Sequence, residues 1–254
     1  MTEPVFRGVG VALLTFFDDD GRLDATGTAA FADRLVERGI EAIVVAGTTG
    51  EASKLERSER TDLLDAVVDT VRGRVPVVAG TGAATADVAE TLTTDAVAHG
   101  ADAVLVLSPP DGVDLNAYYS RVARAAGDTP VLAYHYPAVS PPGIPVALLP
   151  DLPVVGLKDS SGDPERLLRE LDALDDRALY TGSSALLSFA GPLGCAGAIL
   201  GLANLEPELC IKAYGGDADA QRALLPSHLA AKTEFPRGLK QAVAEVEGLT
   251  AVCR

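Results

Sequence analysis

Covalent chemistry in this chain is best served by a lysine, a pair of threonines and a tyrosine, each at the end of a short apolar run. Lys158 closes the run LPVVGLK, and Asp159, Ser160, Ser161 and Gly162 follow at once as a turn. A lysine held against apolar walls loses hydration, which disfavours its charged form and lowers its pKa. The neutral amine can then attack a carbonyl and form a Schiff base. The same spacing also suits a strand-end lysine that reaches solvent. The loop GTTGE (47–51) follows a second run. Its glycines let backbone N–H groups face a ligand, and Thr48 and Thr49 add hydroxyls, which suits a small anion such as a carboxylate. It equally suits a tight strand-to-helix turn whose threonine caps the next helix. Tyr134, the first residue of YHYP, offers a phenol that can move a proton beside an amine, or a ring that closes the end of a barrel. Pro137 keeps Tyr136 extended, so Tyr136 can also face the mouth. Together these parts make a site for a 2-oxo acid. Lys158 condenses with the keto carbon, the threonines hold the neighbouring carboxylate, and Tyr134 moves the proton.

Such a site needs a scaffold that brings distant strand ends to one rim. Apolar runs recur at 9–14, 42–47, 75–80, 103–108, 130–135, 153–158, 178–182 and 197–202, most of them continuously apolar, as strands buried on both faces should be. Amphipathic helical segments lie between them at 25–39, 56–72, 85–99, 115–126 and 163–174; Thr85 and Asp163 stand as N-caps, with Pro164 as first helical residue. The later intervals are shorter, and 182–196 is poorly periodic. Strand and helix alternating eight times in about 200 residues predict an α/β fold of the (β/α)8 TIM-barrel type, in which reactive groups sit at the C-terminal ends of the strands. A doubly wound open sheet competes, but the first strand is followed by TFFDDDG rather than a glycine fingerprint, and GTGAAT (80–85) lacks its third glycine. Helical segments at 206–214, 217–231 and 236–247 exceed what eight units require. They predict a short C-terminal helical extension (206–254) packed on a barrel that spans 1–205.

Composition excludes several classes. With 36 acidic against 21 basic residues and a net charge of −15, no basic patch for nucleic acid is visible. No apolar run approaches the roughly 20 residues of a transmembrane helix. The N-terminus MTEPVFRGVG lacks the pattern of a signal peptide, so a cytoplasmic location is expected. Cys195, Cys210 and Cys253 have neither paired nor metal-binding spacing, and the histidines are scattered, so no metal site is expected. The basic residues comprise 5 Lys and 16 Arg. Carboxylates spread over the whole chain with few lysines fit a protein working in concentrated salt, as in a halophilic archaeon; a GC-rich genome would also favour arginine.

GTTGE, the tyrosine-led YHYP, GLKDSSGD, and Gly197, Ala198, Ile199, Asn204 and Pro207 in GAI…N…P together resemble the dihydrodipicolinate synthase / N-acetylneuraminate lyase family of class I pyruvate aldolases. The resemblance runs in order from residue 8 to about 207. It implies Lys158 as the Schiff-base lysine, Thr48 and Thr49 as the carboxylate-binding pair and Tyr134 as the acid/base group. Gly47, Gly182, Ile199, Tyr136 and Arg237 are expected to contribute to substrate binding. The only covalent helper implied is the lysine itself, with no separate cofactor. The family's synthases carry an arginine where Val139 stands and a tyrosine turn where this chain has SPPDG (108–112). Tyr118 and Tyr119 lie later and are not expected to substitute. The YxYP pattern is similar instead to archaeal 2-keto-3-deoxygluconate aldolases of Entner–Doudoroff type. The resemblance therefore implies cleavage of 2-keto-3-deoxygluconate, or its 6-phosphate, to pyruvate and glyceraldehyde or its 3-phosphate. A dihydrodipicolinate synthase or a sugar-acid dehydratase would use the same lysine, and a non-catalytic keto-acid-binding barrel is the alternative of another class. For a phosphate end, Tyr136, Arg237 and Lys240 are candidates, or else simply solvated surface groups. A homo-oligomer, a tetramer by resemblance, is expected.

Overall fold

The protein was analysed as a computed structural model that describes residues 3–254; residues 1 and 2, with which the N-terminal stretch and the barrel segment read above begin, lie outside it. Eight parallel strands close on themselves in sequence order: β1 (Gly8–Ala12), β2 (Ala42–Val45), β3 (Val77–Gly80), β4 (Ala103–Leu107), β5 (Val131–His135), β6 (Gly156–Asp159), β7 (Ala178–Thr181) and β8 (Gly197–Leu200). β8 returns to pair with β1 through Gly8↔Gly197 to Val11↔Leu200. This is the predicted (β/α)8 barrel.

Alternation along each strand sorts its side chains. Val9, Val11, Ile43, Val45, Val104, Val106 and Leu157 point out to the helices and join the large outer core. Ala12, Ala42, Val44, Leu105, Leu132, Tyr134, Tyr180 and Ile199 fill the interior. Phe6 plugs the N-terminal end, its ring stacked on Tyr180 at 4.6 Å, with the Tyr180 hydroxyl donating to Phe6 O at 2.9 Å. Gly10 makes room for this plug, because a Cβ there would stand 2.9 Å from the Phe6 ring.

Helices α1 (Ala25–Glu37), α2 (Arg57–Val71), α3 (Ala86–Ala98), α4 (Leu115–Ala126) and α5 (Pro164–Leu174) follow β1 to β4 and β6. Asp24, Thr85, Asp114 and Asp163 cap four of them through side-chain oxygens, and the Glu56–Glu59 capping box starts α2. The regular alternation expected from the sequence lapses twice. After β5 the chain makes only a 3-10 turn at Val146–Asp151, where Pro150 inside the turn blocks its continuation as an α-helix; after β7 it makes a single turn, α6 (Leu187–Ala190). The apolar residues Leu152–Val155 lead into β6 instead of forming it. α7 (Pro207–Tyr214) packs on β1 and α6, and α8 (Ala218–Ala223), α9 (Leu225–Lys232) and α10 (Arg237–Glu247) complete the tail. The single segment read at 217–231 is thus two helices broken at Leu224, with Pro226 in the first turn of the second. Among the described residues no helix is long and apolar enough to cross a membrane.

Candidate active site

The C-terminal ends of β5 and β6 put a tyrosine and a lysine side by side. Tyr134 and Lys158 are register partners, and Lys158 pairs in turn with Tyr180. Strand alternation turns all three inward, while His135 and Asp159 turn outward toward α5. Lys158 is buried, and its Nζ lies 4.2 Å from the centroid of the Tyr134 ring. Burial pushes its pKa down from 10.5 to about 7. The amine is therefore substantially neutral at neutral pH, the state in which it can act as a nucleophile.

The Tyr134 hydroxyl is held from two sides. Ser160 Oγ donates to it at 3.4 Å, and Thr48 hydrogen-bonds to it as well. Burial, against these bonds, raises the phenol to about 12, so it rests protonated. Tyr136 stacks on the Tyr134 ring with centroids 5.9 Å apart. Gly182 serves this arrangement by being small. A Cβ there would sit 1.9 Å from Ser160 Oγ, so only glycine lets Ser160 reach Tyr134.

The GTTGE loop is fixed from beneath. Thr15 Oγ1 donates to Gly50 O at 2.8 Å, Glu51 N bonds Thr48 O, and Ala52 N bonds Gly47 O. Gly50 is required, since a Cβ would lie 2.8 Å from Leu13 O. Thr49 packs toward Gly201 at the end of β8. Asn204 clips that end to β1: it accepts from Leu14 N at 3.0 Å and donates to Ala12 O at 2.8 Å. The asparagine of the GAI…N…P pattern thus holds the rim together.

Lys158, Tyr134, Thr48, Thr49, Tyr136, Gly182 and Ile199 all line one cleft of about 210 Å³ at this rim. Two residues expected there are placed elsewhere. Gly47 is not on the wall; it shapes the loop through its carbonyl. Arg237 is exposed at the start of α10 and does not line the cleft. Lys240 is likewise not a free cation. It is fully buried, 2.8 Å from Glu51 Oε1, with Nζ 4.4 Å from the Phe17 ring centroid. Tyr118 and Tyr119 are inside α4 and donate to the Ala83 and Val106 carbonyls, so neither reaches the site, as anticipated. The outer wall had gone unread: Ser160, Ser161, Ser183 and Ser184, with His228 and Lys232 from α9 and Phe235 and Leu239 beyond it. The SS pairs after β6 and β7 were the available signal. His228 carried none, since only the fold brings it to 2.7 Å from Ser184 Oγ.

With the geometry in hand, comparison with known proteins is decisive. The model of the dihydrodipicolinate synthetase family matches residues 5–252. The chain belongs to this family. It is accordingly a lyase of the class I, pyruvate-dependent kind. It is 36% identical over 244 residues to an uncharacterized DapA-like lyase of Halobacterium salinarum, covering 91% of this chain and 80% of the relative. It is also 36% identical over 243 residues to the 4-hydroxy-tetrahydrodipicolinate synthase of Pseudomonas aeruginosa, covering 89% and 83%. Among solved structures, the pyruvate complex of dihydrodipicolinate synthase from Acinetobacter baumannii superposes with a TM-score of 0.90 at 27% identity, over 98% of this chain and 91% of that one. YagE, an E. coli K12 prophage protein of the family crystallised with pyruvate, gives 0.90 at 26%, over 98% and 91%.

Proposed function

We propose that the protein is an aldolase that cleaves 2-keto-3-deoxygluconate or its 6-phosphate to pyruvate and glyceraldehyde or its 3-phosphate, with Lys158 as the Schiff-base residue. The observation that carries this reading is the buried, neutralised Lys158 against Tyr134, facing a Thr48–Thr49 loop. Neutral Lys158 attacks C2, and the carbinolamine loses water to an iminium as the Tyr134 phenol protonates the departing hydroxyl. Ser160 and Thr48 steady the resulting phenolate. Tyr134 then takes the C4 hydroxyl proton, the C3–C4 bond breaks, and its electron pair passes to the iminium as an enamine. The aldehyde leaves, Tyr134 gives its proton to C3, and water hydrolyses the iminium to release pyruvate and the free amine as the freed proton returns to the Tyr134 phenolate. The iminium serves as the electron sink.

Two features favour cleavage over dihydrodipicolinate synthesis. Val139, exposed in the turn after β5, stands where the family's synthases place the arginine that binds a dicarboxylate. The loop after β4 carries Pro109 and Pro110 in place of a proton-relaying tyrosine, and the tyrosines of α4 are committed to backbone carbonyls. The synthase reading draws its support from the 36% identity to the Pseudomonas aeruginosa enzyme. Carbon–carbon bond fate separates the two. Pyruvate and an aldehyde released from the 2-keto-3-deoxy acid support the aldolase. Turnover only of pyruvate with aspartate semialdehyde supports the synthase, and loss of water with an intact carbon chain supports a dehydratase. A homo-oligomeric assembly, a tetramer by resemblance, belongs to the same proposal and is checked by light scattering.

A further inference from the structure

We propose that the outer end of the cleft is a phosphate subsite built from Ser183, His228 and Lys232, with Ser184 orienting the His228 ring, an inference that rests on the Lys158 aldolase reading and narrows its substrate to the phosphorylated acid. Charge is the first ground. The chain carries 36 acidic residues, yet no carboxylate lines the cleft among the described residues, whereas Lys158 and Lys232, two of its five lysines, do. A wall kept free of carboxylates in a molecule of net charge −15 is suited to an anion. Thr48 and Thr49 take one anionic end of the ligand near Lys158; the outer wall faces the other.

The second ground is unmet hydrogen-bonding capacity. Ser183 Oγ has no partner among the described residues, although its backbone N is tied to Thr181 Oγ1 at 3.2 Å. Lys232, at the end of α9, has no ion-pair partner among them either; burial first, and then the nearby Lys232 charge, disfavour protonation of the His228 ring. Ser184 Oγ lies 2.7 Å from His228 Nδ1. With the serine donating, the imidazole proton sits on Nε2, which has no partner among the described residues and is left to donate. The wall therefore offers hydroxyl, imidazole and ammonium donors and no acceptor side chain of the Asp, Glu, Asn or Gln type. A polyol end, whose hydroxyls both donate and accept, makes no use of a cation, whereas a phosphate's three terminal oxygens call for donors and a cation. Ser161 is not part of the subsite, because its hydroxyl is spent on Asp159 Oδ2 at 2.8 Å.

The test compares wild type, Lys232→Ala and Ser183→Ala at constant KCl on the 6-phosphorylated and unphosphorylated 2-keto-3-deoxygluconate, with borohydride trapping of pyruvate on each. The wild type should prefer the phosphorylated acid. The ratio of its kcat/KM to that of the unphosphorylated acid should fall about tenfold or more in Lys232→Ala and about threefold in Ser183→Ala, mainly through KM. Inorganic phosphate should compete with the phosphorylated substrate, and less well in Lys232→Ala. An unchanged ratio in both variants, a wild type that prefers the unphosphorylated acid, or phosphate competition undiminished in Lys232→Ala overturns the subsite. Pyruvate labelling of Lys158 that persists in those cases leaves the aldolase reading standing; wild type without label overturns both.

Discussion

Lys158 works by being dry. Among the described residues its amine pairs with no carboxylate, and the Tyr134 ring covers it at 4.2 Å. Schiff-base formation should therefore follow the neutral amine. The rate of pyruvate trapping is expected to rise to a plateau with a midpoint near pH 7, the value to which burial brings Lys158. A rate still climbing toward pH 10 would mean that the amine is hydrated. The sign is that of a base depressed by folding: the unfolded chain binds the proton more tightly, so stability falls as pH drops from 10.5 through about 7. Tyr134 should carry proton transfer rather than binding. Tyr134→Phe is expected to lower kcat by roughly 10²–10⁴-fold, with a much smaller change in KM and a folded protein by circular dichroism. Equal losses in kcat and in pyruvate affinity would instead make the ring a binding wall. Lys158, Tyr134 and the threonines were legible because each reactive side chain ends an apolar run. The Ser184–His228 contact was not, because it joins residues 44 apart on a loop and a tail helix, and no local pattern records that meeting.

At the scale of elements, the catalytic loop is fastened by the tail. Lys240 of α10 enters the space beneath GTTGE, pairs with Glu51 at 2.8 Å and lies against Phe17. Glu51 is held in the left-handed region at φ 55, a conformation that a non-glycine residue keeps only where its surroundings fix it. A Lys240→Met variant leaves Glu51 as a buried carboxylate without its ion-pair partner, its Oε2 still accepting from Arg254 N at 2.9 Å. It should lose about 3–5 kcal/mol in denaturant unfolding, and adding Glu51→Gln should return most of that. A single variant as stable as wild type would show that the pair does not anchor the loop. This fastening explains why a lysine that reads as a free cation in FPRGLK turns inward: α10 places Leu239, Lys240 and Val243 on its buried side. The strands were legible for a simpler reason, since burial on both faces makes them continuously apolar. The missing helix after β5 was less so, because Pro150, which blocks it, sits in a segment whose apolar content is otherwise helical.

For the whole molecule, the balance of 36 acidic to 21 basic residues sets a self-repulsion that works against the folded state. Self-repulsion at net −15 is screened by salt, and arginines such as Arg34 and Arg38 bind α1 to α7 and α10 through Glu208 and Glu247. The melting temperature is expected to rise on the order of 5 °C between about 0.1 M and about 2 M KCl, one to two kcal/mol at this chain length. A flat or falling curve would assign the composition to coding bias rather than salt. The barrel itself stands on its outer apolar core and closed strand order, which do not depend on that charge. The central claim is that this closed sheet delivers one neutral lysine to a keto acid. Borohydride reduction with pyruvate, read by peptide mass in wild type and Lys158→Ala, tests it most directly. The account predicts one pyruvyl adduct, on the Lys158 peptide, absent from the variant. Folded wild-type protein without an adduct, or with the adduct on Lys232, would contradict it.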